Sequence, residues 1–162
     1  MIPHLYLDKY AKYINTWYIK LLKIAIVLGG FGAAKNLCTF AISAEPAVED
    51  EMARVIRQFI DAGKPIGLCC IAPIIAAIVL SKEDNKKVKM TLGKRSGEGW
   101  PYAATIDKAI EFGVEHEEKN VNEICIDEEN KIVTTPAYMF DGQFHEIHDG
   151  VSKMIEATLA LI

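Results

Sequence analysis

The chain has 162 residues, 51% of them hydrophobic and 25% charged, with a net charge of −4 at pH 7. That is enough chain for one domain with a sizeable core, and the mild acidity argues against a general nucleic-acid grip, which needs a basic face. No apolar run approaches the length of a membrane-spanning helix.

Residues 1–23 hold Tyr6, Tyr10, Tyr13, Trp17 and Leu21 at helical spacing, with Lys9, Lys12, Lys20 and Lys23 nearby. The spacing predicts an amphipathic packing helix. The segment lacks the apolar stretch and small-residue cleavage site of a secretory signal, and it has no arginine to suit a transit peptide. Residues 22–28, LKIAIVL, are aliphatic and β-branched and end at Gly29-Gly30. They read as a strand buried on both faces, of the kind found in parallel sheets. GGFGAAKNL follows as a glycine-rich turn opening toward a helix. A second helix is predicted from Glu45-Pro46, with Val48, Met52, Val55, Ile56 and Phe59 on one face, Gly63 as its C-terminal cap and Pro65 blocking continuation.

Residues 65–69 read as the next strand and 74–80 as a helix, with Pro73 in the first turn where its missing N–H costs nothing. Residues 88–92 read as a short strand, the segment from Lys94 to Pro101 as a loop, and 102–112 as a helix closed by Gly113. Residues 122–127 and 131–135 flank Glu128-Glu129-Asn130 as a hairpin. Residues 144–161 form the last predicted helix, with Ile147, Val151, Met154, Ile155 and Leu159 inward. Strands alternating with helices predict an α/β sandwich around a largely parallel sheet. No internal repeat, low-complexity tract or long linker divides the chain.

The four cysteines, Cys38, Cys69, Cys70 and Cys125, form no disulfide framework and no CxxC pair. Their plain reading is reduced, buried thiols. His145 and His148 lie three apart without a third nearby ligand, so no metal is expected there. The stretch LCCIAP, 68–73, is different, because it is a sharp strand-to-helix turn at the carboxyl end of a strand, where open α/β sheets bind ligands. Such a turn thrusts its central side chain into the open. It also sets that side chain at a helix N-terminus, which favours thiolate over thiol. Cys70 is nearer the helix start, and Cys69 suits the last, buried strand position. Spacing alone leaves a reactive Cys70 and a pair of small core residues equally open. Gly29, Gly30 and Gly32 permit close backbone approach, so their N–H groups can face an oxyanion or can simply make a tight turn. GGFGAA lacks the full dinucleotide spacing, and no cofactor is expected.

Five motifs in order, GGFGAAKNL, AGKPIGLCCIAP, WPYA, NKIVTTPAYM and IHDG, resemble the glutamine amidotransferase-like class I domain family of animal mitochondria. Its bacterial relatives are the enhancing-lycopene-biosynthesis (ElbB) proteins, within the deglycase and PfpI-type superfamily. The resemblance implies a flavodoxin-like three-layer α/β sandwich. It implies that Cys70 is the reactive cysteine and that the amides of Gly29, Gly30 and Ile71 form the oxyanion side. It implies glyoxalase or deglycase chemistry on small carbonyl compounds or glycated proteins, a mitochondrial location with the cytoplasm as the alternative, and leaves a homodimer open.

This chain departs from the family at several positions. Ile71 stands where PfpI-type relatives carry histidine after the nucleophile. His116 is the nearest other histidine in that half of the chain, and Trp100 and Tyr102 are the candidate pocket walls. Leu28 stands where the family has proline. Residues 1–23 resemble none of the family's start, with its first strand and acidic residue. The chain therefore reads as an atypical helical segment, 1–23, joined to the family's C-terminal portion, 24–162, with a sheet incomplete at the N-terminus, as in a truncated gene model. A missing acid would impair catalysis, which keeps two alternatives in view: a redox-sensing or binding module without turnover, and an inactive fragment.

Overall fold

A computed structural model describes residues 16–162. Tyr6, Tyr10 and Tyr13 of the expected aromatic stripe lie outside the described residues. Within them the helix Thr16–Leu21 turns Ile19, not Leu21, into the core: Ile19 is 3% exposed and Leu21 60%. Lys64 donates from its ammonium to the carbonyls of Ile19 and Lys20, which satisfies acceptors at the end of that helix.

Among the described residues the main sheet has four strands: β1 (Ala25–Val27), β2 (Ile66–Cys69), β5 (Cys125–Asp127) and β6 (Ile132–Thr135). Their spatial order is β1-β2-β6-β5, with β1, β2 and β6 parallel and β5 antiparallel to β6. β2 and β6 are buried at every position, as central strands require. A two-stranded parallel sheet joins β3 (Lys89–Met90) to β4 (Glu115–His116), a strand that the sequence pattern did not disclose. The predicted strand at 88–92 is shortened because Thr91 donates its amide to the Thr134 hydroxyl and Leu92 donates to His116.

β1 corrects an expectation. It is not buried on both faces but stands at the edge of the described sheet, with Ile26 37% and Leu28 66% exposed. Among the described residues its backbone pairs with β2 alone, and the last helix packs over β2 and β6 instead. The helix expected from Glu45 begins at Asp50, because residues 47–49 are tied in extended form to 37–39. Glu49 then caps it, accepting the Met52 amide at 2.9 Å.

Helices cover both faces. Ile66, Leu68 and Ile132 point into one cluster with Ile56, Phe59, Ile74, Ile75 and Ile78. Val133 and Cys69 point into the other with Ile147 and Met154. The helix Pro73–Ala76 runs on into a π-helical segment, Ala77–Glu83, which is more irregular than the single predicted helix. The last helix, Phe144–Ala160, buries Ile147, Gly150, Met154 and Thr158. Ile155 and Leu159, expected inward, are 38% and 49% exposed. The stripe is rotated because Gly150 presses onto the Val121 carbonyl, where an added Cβ would stand 2.2 Å from that oxygen. The result is the expected α/β sandwich with a mostly parallel sheet.

Candidate active site

β2 ends at Cys69, and the chain turns sharply before the helix Pro73–Ala76. Cys70 sits on that bend in the left-handed region, with φ of 59°. A non-glycine residue is held there only when its surroundings fix it. The fixing bonds are visible: the Cys70 amide donates to the Thr135 carbonyl at the end of β6 (3.1 Å), and the Ala72 amide donates to Cys69 (3.1 Å). The neighbouring turn after β1 braces the bend from the side. An added Cβ at Gly29 would lie 2.6 Å from the Cys70 Cβ and 2.7 Å from the Cys69 carbonyl oxygen. Only glycine allows that approach.

The two thiols have different surroundings. Cys69 is buried, its sulfur faces the Val27 carbonyl (4.0 Å) and lies near the Gly29 amide. Cys70 is half-buried, with the backbone amides of Ile71, Gly30 and Tyr138 near enough to favour its anion. Burial pushes the Cys70 thiol above its ordinary range, and those three amides pull it partly back. The glycine pair is thus divided, Gly30 serving the sulfur of Cys70 and Gly29 that of Cys69. The Tyr138 amide is a partner that sequence reasoning missed. It arrives from the turn Ala137–Met139, directly after β6, where Ala137 has φ of 45°. The TTPAYM string was its only trace in the sequence.

Cys70 opens onto a cavity of about 390 Å³. Gly30, Ala34, Phe40, Ala41, Ile71, Tyr102, Thr105, Tyr138 and Met139 complete its lining. Tyr102 therefore walls the cavity. Trp100 does not line it but packs on Phe140, with ring centroids 4.8 Å apart, and over Gly93. His116 is elsewhere too: it is half-buried between β4 and the loop after β3, where its Nε2 accepts the Leu92 amide at 3.2 Å. Burial lowers its pKa, so it is a neutral structural acceptor and is not brought to Cys70. Phe40, Ala41 and Thr105 come from segments that carry no chemical motif, and nothing in the sequence marked them.

The arrangement is a thiol on a strained bend, backbone amides near it and an apolar cavity in front. Attack by such a thiolate on a carbonyl carbon would leave the new oxyanion within reach of fixed N–H groups.

No family model matches the chain. It is 47% identical over 140 residues to the ES1 protein homolog, mitochondrial, of Rattus norvegicus, covering 85% of this chain and 51% of that protein. It is 48% identical over 140 residues to the glutamine amidotransferase-like class 1 domain-containing protein 3, mitochondrial, of Homo sapiens, covering 85% and 50%. The chain spans about half the length of these curated relatives. Among solved structures, an isoprenoid biosynthesis protein with amidotransferase-like domain from Ehrlichia chaffeensis superposes with a TM-score of 0.75 at 24% identity, over 88% of this chain and 61% of that one. The Rapid Encystment Protein of Francisella tularensis superposes with a TM-score of 0.58 at 14% identity, over 94% and 62%.

Proposed function

Because the chain belongs, over the 140 residues matched, to the glutamine amidotransferase-like class 1 family that includes the ES1 proteins, we propose that it performs cysteine-dependent chemistry on reactive dicarbonyls or their adducts on protein amines. Cys70 is the nucleophile. The observation behind this reading is the left-handed bend that sets Cys70 at the mouth of a cavity, near the backbone amides of Gly30, Ile71 and Tyr138.

The chemistry balances with water alone. The thiolate adds to the aldehyde carbon, a C–S bond forms, and the carbonyl π pair moves to oxygen beside the amides. A hydrogen shift oxidises that carbon and reduces its ketone neighbour. Water then releases the thiol, and the dicarbonyl plus water becomes a 2-hydroxy acid. From a hemiaminal adduct, the C–N bond breaks first, the amine leaving with a proton as the hydroxyl oxygen re-forms the aldehyde carbonyl, and the same sequence then follows. The curated relatives are named mitochondrial, and we carry that location over to this chain.

Cys70→Ser is expected to abolish methylglyoxal consumption, and Cys69→Ser to retain it, in an assay following loss of the dicarbonyl. Equal loss in both variants would refute the assignment. Burial of the Cys70 thiol favours one second reading, a thiol that captures electrophiles or is oxidised without turnover. Covalent modification of Cys70 with no 2-hydroxy acid formed would select it.

A further inference from the structure

The walls of the Cys70 cavity bear on which carbonyl compound enters. Among the described residues, its lining holds no lysine, arginine, histidine or carboxylate. Phe40, Met139, Ile71, Ala34 and Ala41 supply apolar surface, and two tyrosines, Tyr102 and Tyr138, supply ring faces with a polar tip. The polar groups converge at one end only, as amides around the sulfur. A carboxylate or ammonium group on the substrate would leave water without an opposite charge to meet it, which is unfavourable. An aromatic or aliphatic substituent would instead cover exposed ring and alkyl surface. The volume of about 390 Å³ admits a small ring.

We propose that the site selects neutral carbonyl compounds bearing an apolar, preferably aromatic, substituent, and discriminates against anionic 2-oxo acids and amino-acid side chains with free carboxylates. This rests on the assignment of Cys70 as the nucleophile but is separable from turnover, because it concerns what reaches the sulfur.

The test uses three alkylating probes on the full chain: phenacyl bromide (neutral, aromatic), iodoacetamide (neutral, small) and iodoacetate (anionic). Labelling of the Cys70 peptide is followed by mass spectrometry, and each rate is divided by that of 2-mercaptoethanol under the same conditions. Relative to iodoacetamide, phenacyl bromide is expected to be favoured about tenfold and iodoacetate disfavoured about tenfold, the scale of a small apolar contact and of an unpaired charge in such a pocket. Ala41, at the exposed rim, gives the second arm: Ala41→Lys is expected to lift the iodoacetate ratio and, because it replaces apolar wall with a charge, to lower the phenacyl ratio. Iodoacetate labelling at or above the iodoacetamide ratio, or no advantage for phenacyl bromide, overturns the proposal. The expected order together with no dicarbonyl turnover would reject the catalytic reading and leave this one standing. Turnover with the reverse order would do the opposite.

Discussion

At the scale of single residues, Cys69 and Cys70 show how one step along the chain separates two surroundings. Cys69 ends a buried strand, and Cys70 leaves it at φ of 59° to face a cavity. The reactive form of a thiol is its anion, and burial holds Cys70 protonated near neutrality more strongly than its amide partners release it. Its labelling by iodoacetamide should therefore climb about tenfold per pH unit, from about pH 6 to pH 9, without levelling at neutrality. A plateau below about pH 7 would mean that an unseen partner stabilises the thiolate. Spacing alone leaves a reactive thiol and a small core residue equally open, but the bend at Cys70 was legible because proline, small residues and an apolar run mark a sharp turn. Tyr138 was not, since a backbone amide acts regardless of the side chain it belongs to.

Among the elements, two loops hold the bend. The turn after β1 packs Gly29 against it, and β6 binds it through the Thr135 carbonyl. Gly29→Ala forces a methyl into the Cys70 Cβ and the Cys69 carbonyl. It should lower stability by about 1–3 kcal/mol, the usual cost of overpacking, read as a fall in the denaturation midpoint, and should also slow labelling of Cys70. An unchanged midpoint with an unchanged labelling rate would mean that the two turns do not touch as described. The strongly patterned elements, such as β2, the hairpin β5–β6 and the helix Ala103–Glu111, stand close to their predicted places. The misreadings fall where tertiary context decides. LKIAIVL carries the composition of a central strand, but its neighbours leave β1 at an edge. Leu159 fits the apolar spacing of the last helix, but Gly150 rotates that helix until Thr158 is the buried residue, its hydroxyl satisfied by the Met154 carbonyl at 2.6 Å.

For the whole molecule, the central strands are shared by both buried clusters. β2 sends Ile66 and Leu68 to one side and Cys69 to the other, and β6 divides Ile132 from Val133. Met154 is fully buried in the second cluster. Met154→Ala should cost about 2–5 kcal/mol. Because both clusters share those strands, near- and far-ultraviolet circular dichroism should still report one coincident transition, shifted to lower temperature. Two separated transitions would show that the clusters unfold independently.

The backbone at position 70 has a broader consequence. An L-residue in that conformation lies about 1–2 kcal/mol above glycine, so Cys70→Gly should give a protein that melts higher and lacks the thiol at the cavity. Any search for hardier variants by thermal challenge alone would drift toward that silent form. Screens for robustness on this scaffold need a chemical readout of the sulfur alongside the melting curve.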